Sequence, residues 1–181
     1  MIGSREIFIS VDVETSGPIP GEFSLLSIGA CNIADDRKTF ECELRPITDR
    51  ADPKALDISG FSLEELARTG TEPETAMRKF ASWLQKISDK ESNLVFVGFN
   101  APFDWSFVNY YFHRYLGNNP FGFAALDIKA LYMGATGCPW AETKSSLMTE
   151  ALRPSRRGNH NALSDALFQA ELFRLIRVRV R

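Results

Sequence analysis

Ile9-Ser10-Val11-Asp12-Val13-Glu14-Thr15 alternates apolar and polar residues without a break. In a strand, successive side chains point to opposite faces, so Ile9, Val11 and Val13 share one face while Asp12 and Glu14 stand side by side on the other. Adjacent carboxylates repel unless a cation intervenes, and an oxygen-only pair suits a hard ion such as Mg²⁺ or Mn²⁺. A solvated acidic sheet edge would show the same alternation. The pair needs partners elsewhere in the chain before it decides anything.

Outward from this stretch, residues 6–13 read as a first strand, 23–33 as a second and 39–44 as a third, with turn-rich 16–21 and 35–38 between them. That predicts an antiparallel meander of three strands. Helices are expected at 63–68 and 74–88; in the second, Met77, Phe80, Ala81 and Leu84 fall three or four apart on one apolar stripe. Residues 93–99 form a nearly continuous apolar run, as in a central strand buried on both faces, and lead into a helix over 102–115 with Pro102 in its first turn. A short strand at 124–126, helices at 128–133 and 145–152, and a long helix over 161–178 complete the order. Strands first and alternation afterwards predicts an α/β fold: a mixed five-stranded sheet, the meander plus two further strands, flanked by helices.

The chain has 181 residues, 44% of them hydrophobic and 24% charged, which fits a single globular domain spanning 1–181. A net charge of −2 argues against a broad basic face for duplex nucleic acid and leaves room for a small site that grips a strand end. No apolar run reaches the roughly 18–20 residues of a membrane span, and no secretory signal is evident. Cys31, Cys42 and Cys138 form no Cys-x-x-Cys pair, so they read as reduced packing residues, and a cytoplasmic protein is expected.

Two more stretches carry acids. In Gly98-Phe99-Asn100-Ala101-Pro102-Phe103-Asp104 a buried strand hands over to a helix, the place where open α/β sheets bind ligands. An acid in a first helical turn is also favoured by the helix dipole alone. In His160-Asn161-Ala162-Leu163-Ser164-Asp165-Ala166, Asn161 suits a cap and Asp165 lies about one turn into a helix whose Ala162, Ala166, Ala170 and Phe173 make an apolar stripe. A carboxylate in such company needs a cation or a metal. His160 falls on the entering loop, where a surface histidine is equally ordinary. His113, among Tyr110, Tyr111, Phe112 and Tyr115, reads as structural.

Taken together, Asp12-Val-Glu14-Thr15-Ser, Asn100-Ala-Pro-Phe-Asp104 and His160-Asn-Ala-Leu-Ser-Asp165-Ala resemble the three exonuclease motifs of the DEDD superfamily. The histidine five residues before the last aspartate is similar to the DEDDh branch, which includes ribonuclease T, oligoribonuclease and the proofreading subunit of the bacterial replicative polymerase. The resemblance spans roughly residues 6–176. It implies a ribonuclease-H-like fold and metal-dependent removal of nucleoside 5′-monophosphates from the 3′ end of single-stranded RNA or DNA. It implies that Asp12, Glu14, Asp104 and Asp165 hold two metals, Mg²⁺ with Mn²⁺ able to substitute, and that His160 is the general base. Histidine titrates near neutral pH, so activity is expected to rise as the imidazole loses its proton.

The resemblance also points to Thr15, Leu25, Leu26, Phe61, Asn100 and Phe103 as contacts to the terminal nucleotide, and to a possible homodimer. Phe61 and Phe103 could stack on bases or belong to the core. Arg157, with Arg153 and Arg156, makes a basic cluster before His160 that could meet phosphates or simply face solvent. Ser27 stands where family members often carry Glu, which leaves RNA against DNA open. Arg177-Val178-Arg179-Val180-Arg181 alternates like an exposed strand-like tail that could contact a second subunit or nucleic acid, and a disordered terminus would show the same pattern. Two other readings compete. One is a non-catalytic module of the same fold that holds strand ends; the other is a glycosidase using two carboxylates, which would need neither the histidine nor the further acids.

Overall fold

The computed structural model describes residues 5–179. Five strands, β1 (Arg5–Thr15), β2 (Leu25–Asn32), β3 (Asp35–Glu43), β4 (Ser92–Gly98) and β5 (Ala125–Asp127), form one sheet in the order β3-β2-β1-β4-β5. β1, β2 and β3 are the expected antiparallel meander, and β4 and β5 extend it in parallel register. The helices are α1 (Pro53–Ser59), α2 (Leu63–Thr69), α3 (Pro73–Ile87), α4 (Ala101–Leu116), α5 (Ile128–Thr136), α6 (Ser145–Leu152) and α7 (Ala162–Arg179).

The alternation of β1 is what builds two cores. Ile7, Ile9, Val11 and Val13 enter a cluster with Phe80 of α3 and Phe107, Tyr111 and Phe112 of α4. Phe8 faces the other way, onto a second cluster made by Val97 and by Ile128, Met148 and Phe173 of α5, α6 and α7. β4 is buried on both faces as its apolar run predicts, with Phe96 in the first cluster and Val97 in the second.

Three features depart from the sequence reading. β3 starts at Asp35, not 39, because the Asn32 side chain accepts the Ala34 N–H and closes a tight hairpin that pairs Asn32 with Asp35. α1 was not expected; Asp52 caps it through the Lys54 N–H, and Gly60 ends it in the left-handed region at φ 72°. Of the alternating C-terminal stretch, Arg177 and Val178 lie in the expected helix and Arg179 extends it by one residue, so these positions are helix and not strand; the Arg177 guanidinium lies over the Phe8 and Phe173 rings. Val180 and Arg181 lie outside the described residues.

Candidate active site

Gly29 brings the motifs together. It pairs with Asp12 across β1 and β2, on the face that meets α7. A Cβ there would lie 2.1 Å from the Ala162 carbonyl carbon and the Leu163 nitrogen, so only glycine lets the α7 N-terminus rest on the sheet. Asn161 caps α7 by accepting the Ser164 N–H, and Asp165 follows in the first turn, directed back at β1.

Asp165 is fixed by its own loop. Its two oxygens accept the N–H groups of Asn159 and His160 at 2.8 and 3.0 Å. His160 sits in the left-handed region at φ 60°, a conformation that a non-glycine residue adopts only when its surroundings hold it there. Glu14, His160 and Asp165 each present a ligand atom within 4.8 Å of the others.

Asp104 arrives from the opposite side of the sheet end. It is buried, and its Oδ1 accepts the Val13 N–H at 3.1 Å, beyond the point where the β1–β4 ladder stops at Ser10 and Val97. Asp104 lies in the first turn of α4 and at the same time beside Asp12 and Glu14. Asn100 precedes α4 at φ 60° and makes no side-chain cap; Asp127 does that work, accepting the Ala101 and Ala130 N–H groups at 2.7 Å each.

The electrostatics record the crowding. Burial, reinforced by Asp104, Asp165 and Glu14, pushes the Asp12 carboxyl well above the ordinary range, against the lowering effect of the Gln169 hydrogen bond. Burial and then Asp165 push Glu14 up to about 7. Burial pushes Asp104 up to about 8, outweighing the N–H groups of Val13 and of Asp104 itself. Carboxylates held this close without a compensating positive charge favour their protonated forms, and a divalent cation with hard oxygen preference supplies that charge. The donor set therefore fits a hard divalent cation.

A groove of about 600 Å³ opens beside Asp12, His160 and Asp165, walled by Phe99, Phe168 and Gln169 and by Ser145, Ser146 and Thr149 of α6. Arg157 lines it, unlike Arg156, which is tied to Asp36 and Glu171. A second cavity of about 650 Å³ lies at the far end of β1, among Ile7, Phe8, Ile33 and Phe173, and none of Asp12, Glu14, Asp104 and Asp165 lines it.

The other expected substrate residues are spread around the sheet end. Phe103 is 36% exposed at the start of α4 and packs against Phe107; Asn100 is exposed, and Phe61 is half-buried after α1. Thr15, Leu25 and Leu26 are enclosed, Thr15 donating to the Gly17 carbonyl and the Leu25 N–H donating to the Tyr111 hydroxyl. Any contact from Leu25 or Leu26 to a nucleotide must then come from movement or from backbone, because their side chains present no surface. Ser27 is buried opposite Glu14 in the β1–β2 register, so a Glu there would have added one more acid to the cluster.

Sequence reading missed Gln169, which reaches Asp12 across the whole chain. A polar residue one turn after Asp165, inside the apolar stripe of α7, was the available signal. Phe99 and the α6 hydroxyls were missed as well, since nothing local in Ser145, Ser146 or Thr149 points to a groove.

Asp12 and Glu14 of β1, Asp104 of α4, and His160 and Asp165 at the α7 entrance thus gather at one end of the sheet, and the protein of which they are part is an exonuclease by family. The chain belongs to the RNase T exonuclease family, whose pattern it matches over residues 9–173. It is 54% identical over 172 residues to the 3′-5′ DNA exonuclease Cap18 of Escherichia coli, an alignment covering 95% of this chain and 92% of that protein. It is 30% identical over 179 residues to ribonuclease T of Baumannia cicadellinicola subsp. Homalodisca coagulata, covering 91% of this chain and 80% of that protein. Among solved structures, the nuclease domain of 3′hExo, a DEDDh family member bound to rAMP, shares the fold at a TM-score of 0.73 and 16% identity, over 95% of this chain and 90% of that one. Escherichia coli exonuclease I in complex with a dT13 oligonucleotide does so at 0.73 and 18% identity, over 97% of this chain and 42% of that one.

Proposed function

We propose that this protein is a 3′–5′ exonuclease that hydrolyses single-stranded DNA from its 3′ end and releases nucleoside 5′-monophosphates. The observation that carries the reading is the convergence of Asp12, Glu14, Asp104 and Asp165 from three separate elements, with His160 beside Glu14 and Asp165. The choice of DNA rests on the 54% identical relative, which is named a DNA exonuclease.

Asp12, Glu14, Asp104 and Asp165 would hold two divalent ions, Mg²⁺ with Mn²⁺ able to substitute. When bound, such a pair activates water and stabilises the attacking and leaving oxygens of an in-line phosphoryl displacement. The chain's own residues prepare that event. Gln169 and the Val13 N–H fix the rotamers of Asp12 and Asp104, and the Asn159 and His160 N–H groups fix Asp165. His160 stands exposed on its loop, where the neutral imidazole can take the proton of the attacking water. Arg157, which lines the groove, would contact phosphate, the exposed Phe103 would stack on a base, and Asn100 and Phe61 would add contacts to the terminal nucleotide.

We place the protein in the cytoplasm: Cys31, Cys42 and Cys138 are free, and no helix among the described residues is long and apolar enough to cross a membrane. Residues 1–181 are proposed to act as one catalytic domain, and a homodimer is proposed on resemblance alone, with light scattering as its check.

The test is degradation of 3′-labelled and 5′-labelled single-stranded DNA and RNA with Mg²⁺, with EDTA, and with Asp12→Ala. Metal-dependent, stepwise loss from the 3′ end that vanishes in the variant is expected, with DNA the faster substrate. A wild-type protein that binds strand ends and never cuts them would replace this reading with the end-binding module. Hydrolysis that survives EDTA would remove the metal mechanism.

A further inference from the structure

The groove does not end at the acids. Phe99 forms part of its wall, and the Phe99 N–H is pinned by the Gln169 Oε1 at 2.9 Å, so this ring is held at the C-terminal end of β4. The Lys129 ammonium lies 6.0 Å from the centre of the Phe99 ring and 4.4 Å from the centre of the Trp140 ring. Trp140 is 52% exposed and opens the 3-10 turn Trp140–Thr143, which leads into α6, the helix whose Ser145, Ser146 and Thr149 wall the same groove. Phe99, Lys129 and Trp140 therefore form one continuous strip from the groove to the surface. Trp83 and Trp105, by contrast, pack against the core.

We propose that this strip is a binding site for the nucleotides that precede the 3′ terminus of a single-stranded substrate, a role that rests on the exonuclease reading above. An exposed tryptophan presents a flat apolar face on which any base can stack, which gives affinity without sequence preference. A lysine set between two rings supplies the positive charge that a phosphate between stacked bases requires. Lys129 makes no salt bridge among the described residues, so its charge is free to be shared with a phosphate. In this protein of net charge −2, such a strip provides local attraction for a strand without a broad basic face.

Two measurements test it. In EDTA, where nothing is cut, tryptophan emission is titrated with a thymidine oligomer of about 12 nucleotides. Quenching is expected in the wild type and in Trp83→Phe, and its loss in Trp140→Phe. With Mg²⁺, Trp140→Ala and Lys129→Ala are compared on that oligomer and on a dinucleotide. KM for the oligomer should rise by about 5- to 150-fold in Trp140→Ala, the range to which a stacking energy of ~1–3 kcal/mol converts, and the dinucleotide should respond far less. Equal losses on both substrates, or no loss on either, would overturn the strip. A wild type that cuts neither substrate would overturn the exonuclease reading, and the emission titration in EDTA would still judge the strip by itself.

Discussion

Gln169 donates its side-chain N–H to Asp12 Oδ1 at 2.5 Å while its own Oε1 accepts the Phe99 N–H at 2.9 Å. One buried amide thereby ties α7 to the ends of β1 and β4 and sets the direction in which Asp12 presents its other oxygen. Groups that orient a metal-binding carboxylate are worth roughly 10–100-fold in metal affinity or activity when removed. Gln169→Ala is expected to raise the Mg²⁺ concentration needed for half-maximal activity by about that factor, while circular dichroism shows the fold retained. An unchanged Mg²⁺ dependence would reduce Gln169 to a packing residue.

Asp104 has two roles that a single substitution separates. Its Oδ1 holds the Val13 N–H, and its charge belongs to the acid cluster. Asp104→Asn keeps an acceptor for Val13 and removes the ionisable group that a bound cation would draw into its charged form. Activity should fall on the order of 10²–10³-fold, the scale of losing one preorganised electrostatic group, while the melting temperature of the metal-free protein holds or rises. A variant that loses stability along with activity would show that Asp104 is chiefly a helix-end stabiliser.

The same charges give the metal-free protein a pH dependence of definite sign. Glu14 is raised from 4.5 to about 7 and Asp104 from 3.8 to about 8, so the folded state binds these protons more tightly than the unfolded state. Their contribution to stability is fully present below about pH 4 and is lost as pH rises through 7 to 8. A divalent metal bound among these carboxylates would replace the lost protons. The melting temperature gained on adding saturating Mg²⁺ should be larger near pH 8 than near pH 5. A gain independent of pH in thermal scans would mean that Mg²⁺ binds somewhere other than this cluster.

How far these relations could be read from sequence depends on whether they are local. The period of two in 9–15 fixes which face of β1 carries the acids, and Phe8 and Val11 do go to opposite cores. Asp165 in the first turn of its helix and Asn161 as its cap follow from short-range rules and hold in the structure. α1 carries local signals in Asp52, Pro53 and Gly60, a cap, a first-turn proline and a left-handed stop, but its residues make no apolar stripe to mark a helix, and none is buried. Gln169 is different in kind, because its partner is 157 residues away in sequence. The end of α7 shows the limit of local pattern: Arg177 and Val178 alternate like a strand, yet they lie within the expected helix, and the stacking of Arg177 on Phe8 and Phe173 rewards its continuation.

Gly29 offers the sharpest test of how the fold makes the site. It sits directly across from Asp12, and a single methyl group there would collide with the backbone of Ala162 and Leu163 at 2.1 Å. The obstacle is backbone on both sides, so the clash is relieved only if the α7 entrance lifts from β2. That movement carries His160 and Asp165 away from Glu14, the grouping now within 4.8 Å. Gly29→Ala should therefore cost about 1–3 kcal/mol in stability, as overpacking does, and remove activity out of proportion to that cost. Gly134→Ala is the control: its Cβ meets nothing within 4 Å inside α5, and activity and melting temperature should hold. If Gly29→Ala melts lower yet cuts at the wild-type rate in saturating Mg²⁺, the approach of α7 to β2 serves packing alone, and Asp165 must reach the metals by some other means.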